Sequence, residues 1–123
     1  MEPLVEPTVA RWFTAPFRAQ HPEVVDQVRS MIRSTPPQGY AGCCHAIAGL
    51  NLTERLQAIT LPTLIIVGEE DPGTPVAASQ TIQEQTPGSA LMILPSAAHL
   101  SNLEQPETFN QALIPFLEQH AAR

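Results

Sequence analysis

Apolar residues recur at helical spacing through the first half of the chain and in short unbroken runs through the second. After His21-Pro22, the residues Val24, Val25, Val28, Met31 and Ile32 fall three or four apart while Glu23, Asp26, Gln27, Arg29 and Arg33 point elsewhere. That pattern predicts an amphipathic helix, closed by Thr35-Pro36-Pro37. Residues 2–14 read as an earlier helix with Leu4, Val5, Val9, Trp12 and Phe13 near one face. Pro3 suits its first turn, and Pro7 weakens its early part. A third helix of small and apolar residues is expected over 38–48, and a short fourth over 52–59 with Asn51 or Thr53 as its cap. No strand pattern interrupts them, so residues 1–59 are predicted to form an all-helical, cap-like segment.

The pattern changes at Leu61-Pro62. Thr63-Leu64-Ile65-Ile66-Val67 is a β-branched apolar run stopped by Gly68, as expected of a strand buried on both faces of a parallel sheet. A helix over 76–85, a Pro87-Gly88 turn, a second buried strand over 90–94 and an amphipathic helix over 106–120 follow. Phe109, Leu113, Phe116 and Leu117 share a face of that last helix. Residues 60–123 therefore read as a right-handed β-α-β-α unit of parallel strands, and the fold class is α/β. Two strands do not make a self-sufficient sheet, so at least one edge is expected to need a partner.

Composition narrows the class. The chain has 123 residues, with 43% hydrophobic and 15% charged, which describes one globular unit rather than a disordered one. Six arginines, no lysine and twelve acidic residues give a formal charge of −6. Nucleic acid and anionic membranes attract basic patches, so neither is expected as a partner. The adjacent Cys43 and Cys44 lie in an apolar helical pattern and are expected to be buried thiols in a reducing compartment. Met1-Glu2-Pro3 has neither the basic region nor the apolar core of a signal peptide, and no apolar run reaches membrane-spanning length. A cytoplasmic location is expected.

Chemistry concentrates in two polar loops. Gly68-Glu69-Glu70-Asp71-Pro72-Gly73-Thr74-Pro75 follows the first strand, and Ser96-Ala97-Ala98-His99-Leu100-Ser101-Asn102-Leu103-Glu104-Gln105-Pro106 follows the second. Parallel neighbours carry both loops to one rim of the sheet, where reactive groups of open α/β sheets gather. Asp71 is the expected orienting acid and His99 the expected general base, since an imidazole with a carboxylate on one nitrogen can exchange a proton at the other. Glu69 and Glu70 are rival acids. Taken singly, Asp71 reads as a turn residue and His99 as an ordinary loop histidine; their joint order on these elements favours the chemical reading. Trp12 is a candidate pocket wall. His21, His45 and His120 are not expected in the site. Cys43-Cys44-His45 is not expected to hold metal, because consecutive helical residues splay by about 100°.

An acid and then a histidine, each just past a strand, is the order of the last two triad members in α/β-hydrolases. No G-x-S-x-G occurs in the sequence, so the nucleophile they would serve is missing. Arg11-Trp12-Phe13-Thr14, Gly39-Tyr40-Ala41-Gly42-Cys43-Cys44, Pro62-Thr63-Leu64 with Gly68 and Asp71-Pro72, and the loop from Ala98 to Pro106 together resemble the 3-oxoadipate enol-lactonase family. The resemblance implies the C-terminal portion of an α/β-hydrolase fold, with a helical cap ahead of the β-α-β-α part. It implies cofactor-free hydrolysis of an enol-lactone ester in the β-ketoadipate pathway of aromatic degradation. It also implies Asp71 and His99 as triad acid and base, and Trp12 as a cap aromatic near the substrate. The chain alone is expected to be inactive. Its expected partners are a small lactone or ester and either a missing N-terminal hydrolase half or a second copy joined through the open sheet edge. Other readings are an esterase, a carbon–carbon hydrolase or a haloperoxidase-like protein, or a non-catalytic oligomerisation or binding remnant.

Overall fold

A computed structural model describes residues 1–121. Four helices come first: α1 (Glu2–Trp12), α2 (Ala15–Gln20), α3 (Pro22–Ser34) and α4 (Pro37–Ala48). A 3₁₀ helix, Thr53–Ala58, leads to β1 (Leu64–Gly68), α5 (Val76–Gln85), β2 (Ala90–Leu94), the single-turn α6 (Ser101–Glu104) and α7 (Pro106–His120). The expected order is therefore found, with two short helices added. α2 begins at Thr14, whose hydroxyl accepts from Phe17 N–H at 3.4 Å, with a proline in its first turn. Asn51 acts at the start of the 3₁₀ helix, its side-chain oxygen accepting from Thr53 N–H at 3.3 Å.

The best-packed core lies between α1 and α3. Val5, Val9, Phe13, Val25, Val28 and Ile32 are buried together, with Met1, Trp12, Phe17 and Leu100 against them. Each such side chain contributes about 1.5–3 kcal/mol on leaving water. The outer faces of the two helices are joined by Arg29 to Glu6 at 2.8 Å and Arg33 to Glu2 at 2.9 Å, surface pairs that solvent screens and that add little to stability. Pro7 sits inside α1 without ending it.

β1 and β2 pair in parallel, in register from Leu64 opposite Ala90 to Gly68 opposite Leu94. Burial on both faces is not what these strands have. Val67, Gly68 and Leu94 are buried, whereas Ile93 is 41% exposed and Leu64, Ile65 and Ile66 are half-buried. Among the described residues the sheet has only these two strands, so its faces and edges lack the neighbours that the apolar runs anticipate. α7 shows the same deficit: Phe109, Leu113 and Phe116 are half-buried, and Leu117 is 54% exposed.

The expectation of buried thiols is corrected. Cys43 and Cys44 are both exposed, because no residue of α4 is buried and no described element packs over it closely enough to cover them. An apolar pattern is enough for a helix, but burial needs a covering surface, and none of the residues of this helix is buried.

Candidate active site

The rim formed by the two strand ends is held by backbone contacts. A Cβ added at Gly68 would collide with the main-chain carbonyls of Ala97 and Ala98, so only glycine lets the second loop cross the end of β1. Glu69 N–H then donates to Leu94 O and Glu70 N–H to Ala97 O, each at 2.9 Å. Ser96, at φ 53°, makes the sharp left-handed turn that brings the second loop back. The two polar loops are thereby fixed side by side.

Asp71 and His99 meet there. His99 Nδ1 lies 2.8 Å from Asp71 Oδ2. The carboxylate also accepts from Gly73 N–H at 2.8 Å, Thr74 N–H at 3.0 Å and the Thr74 hydroxyl at 2.7 Å. Asp71 is almost completely buried, with 3% of its side chain exposed against 37% for His99. Burial, the strongest single influence, raises the Asp71 pKa, but the bonds from Thr74, His99 and Gly73 together outweigh it and hold the carboxyl below its ordinary value. An ionised Asp71 therefore takes the Nδ1 proton of the neutral ring as a hydrogen bond, which leaves Nε2 with a lone pair for proton transfer.

Glu69 and Glu70, the rival acids, are exposed and make no side-chain bond to His99 among the described residues. The Trp12 ring stacks on His99 with centroids 5.8 Å apart, and its carbonyl accepts from Leu100 N–H at 3.0 Å. His21 packs on Phe17 and His120 on Phe116, away from the pair, and His45 is exposed on α4.

Three contributors escaped the sequence reading. Thr74 fixes Asp71, as just described. Glu104, buried, accepts from Thr14 N–H at 2.8 Å, from the Thr14 hydroxyl at 2.7 Å and from Ala98 N–H, so one carboxylate ties the helical segment to the histidine loop. Arg11 lines a cavity of about 250 Å³ together with Trp12, Ile32, Tyr40, Asp71 and His99. The Thr-Pro in the first loop and the Glu-Gln-Pro in the second are visible as turn and helix-start signals; which side chains they reach is a tertiary fact.

A short parallel βα unit with an acid–imidazole pair on its carboxyl rim, beneath a helical cover bearing Trp12, is the C-terminal part of an α/β-hydrolase fold. Within that class the chain is homologous to the 3-oxoadipate enol-lactonases. Enol-lactonases 2 and 1 of Acinetobacter baylyi are 38% and 36% identical to it over 92% and 94% of its length. The solved enol-lactonase of Burkholderia xenovorans LB400 superposes with a TM-score of 0.93 at 30% identity, over 96% of this chain. The chain spans only 42–45% of the length of these proteins. No family model matches the sequence.

Proposed function

We propose that this chain supplies the cap and the acid–base pair of an enol-lactone hydrolase, with residues 1–59 as cap and 60–123 as the C-terminal part of the catalytic core. The observation that carries the reading is the buried Asp71 bonded to His99 Nδ1 at 2.8 Å, with Trp12 stacked on the imidazole. The likeness to enol-lactonases over nearly the whole chain supports this substrate class.

His99 Nε2 accepts the proton of a serine hydroxyl as that oxygen attacks the lactone carbonyl, and Asp71 holds the ring while it carries the added charge. Collapse of the tetrahedral intermediate breaks the ring C–O bond. The departing enol oxygen takes its proton back from Nε2, and the enol relaxes to the ketone. Water then repeats the cycle on the acyl-serine, with Nε2 as base and then acid, to release 3-oxoadipate. Neither the serine nor the amides that would hold the oxyanion occur in a G-x-S-x-G context in these residues, so they come from a complementary hydrolase portion. The likeness to enol-lactonases supports a role in the β-ketoadipate pathway and with it a cytoplasmic location.

Co-expression with the serine-bearing N-terminal portion of an enol-lactonase tests this. Loss of the enol-lactone ultraviolet absorbance is expected only from the combined halves and not from either alone, with a fall to background in His99→Ala. Turnover of simple short esters but not of the enol-lactone would overturn the substrate class. Turnover that survives His99→Ala would overturn the mechanism.

A further inference from the structure

The acid–imidazole pair leaves one charged side chain of the cavity unused. Arg11, in the last turn of α1, lines the same space as Asp71 and His99. Arg29 and Arg33 are engaged with Glu6, Asp26 and Glu2. Arg11 makes no ion pair with any described residue, although acidic residues outnumber arginines twelve to six in this chain. Arg18 and Arg55 also lack such a pair, but neither lines this cavity.

The cavity gives that charge a purpose. Asp71 is turned to His99, Gly73 and Thr74, so it does not neutralise Arg11. Much of the remaining wall is apolar, from Met1, Leu4, Trp12 and Ile32. Arg11 is exposed at this wall, and its planar guanidinium offers an entering carboxylate a charge-assisted, bidentate pair. An enol-lactone formed from a six-carbon diacid uses one carboxyl in the ring ester and keeps the other as a carboxylate. We propose that Arg11 anchors this free carboxylate, so that the site selects acidic lactones and esters over neutral ones and presents the ring ester towards His99. The assignment rests on the enol-lactone reading above.

Trp12 is the sole tryptophan and lines the cavity, so its emission reports occupancy. The probes are monomethyl adipate and dimethyl adipate, which share chain and ester and differ by one charge, titrated into the 123-residue chain at constant ionic strength. Wild type is expected to bind the monoester saturably. Arg11→Gln should weaken that binding about tenfold or more, Arg11→Lys should restore part of it, and the diester should not distinguish the three. Arg11 is exposed, and circular dichroism checks that each variant keeps its fold. Equal monoester affinity in wild type and Arg11→Gln, or no saturable response in wild type, overturns the anchor. Hydrolysis of the enol-lactone by the combined halves, measured in parallel, separates the two claims. Turnover without Arg11-dependent binding removes the anchor alone, and Arg11-dependent binding without turnover removes the lactonase alone.

Discussion

Asp71 has more partners than the imidazole it serves. Its two oxygens accept four hydrogen bonds, from Gly73, twice from Thr74 and from His99. Asp71→Asn would set an amide N–H₂ against one of these donors or reverse the tautomer of His99. In the combined enzyme, turnover should fall about 10⁴-fold while the protein stays folded, as kinetics beside a thermal melt would establish. The same bonds tie Asp71 to stability. Because its folded pKa lies below the unfolded value near 3.9, its contribution is complete above about pH 5 and is lost as pH falls through the folded value. Glu2 and Glu6 are likewise held low, by hydrogen bonds from Arg33 and Arg29, but they titrate in both proteins. Melts at about pH 6 and about pH 3 should therefore show wild type losing more stability than Asp71→Asn, and equal losses would remove Asp71 from the acid response. The pair was legible in the sequence because each member follows an apolar run by a few residues. Thr74, Glu104 and Arg11 were not, because their roles come from side-chain bonds and a cavity wall, and spacing does not encode these.

At the scale of elements, the joins matter more than the helices. Gly68→Ala would force the Ala97 and Ala98 carbonyls off the end of β1 and separate the two loops. A loss of about 2 kcal/mol or more is expected in denaturant melts, together with loss of the His99–Asp71 hydrogen-bonded proton in NMR spectra. Glu104→Gln keeps the volume but turns an N–H₂ towards either Thr14 or Ala98, both of which donate. A cost of about 1–3 kcal/mol is expected in the same melts, and a neutral result would make this buried bridge dispensable. Elements with strong periodicity or proline punctuation were readable, and α3, α5, β2 and α7 lie where the pattern puts them. α2 and α6 were missed because a helix of one or two turns has too few positions to show a period. The Cys43 and Cys44 prediction went wrong for another reason: an apolar helix announces a wish for burial and says nothing of whether a neighbour exists.

At the scale of the whole molecule, large apolar side chains stand exposed among the described residues. Leu61 is 74% exposed, Met31 and Ile47 67%, and Leu50 62%, while both strands are only partly covered. Large exposed apolar surface of this kind marks interaction sites. The isolated chain should bind a hydrophobic dye and self-associate as concentration rises in sedimentation experiments, and the serine-bearing portion of an enol-lactonase should suppress both. If the dye signal is unaffected by that portion, the exposed faces are not where it binds. Fold class was readable at this scale because strand and helix alternate through residues 64–120; burial was not, since it depends on which layers come to cover each face.

The bonds from Trp12 to Leu100 and from Thr14 to Glu104 divide the cavity into two jaws. One jaw, bearing Arg11 and Trp12, is bolted to the histidine loop and cannot retreat without breaking a buried network. The other bears Tyr40 on α4, a helix with no buried residue. On the proposed reading, room for bulkier lactones is to be made by rebuilding α4, which makes none of the hydrogen bonds that join Asp71 and His99.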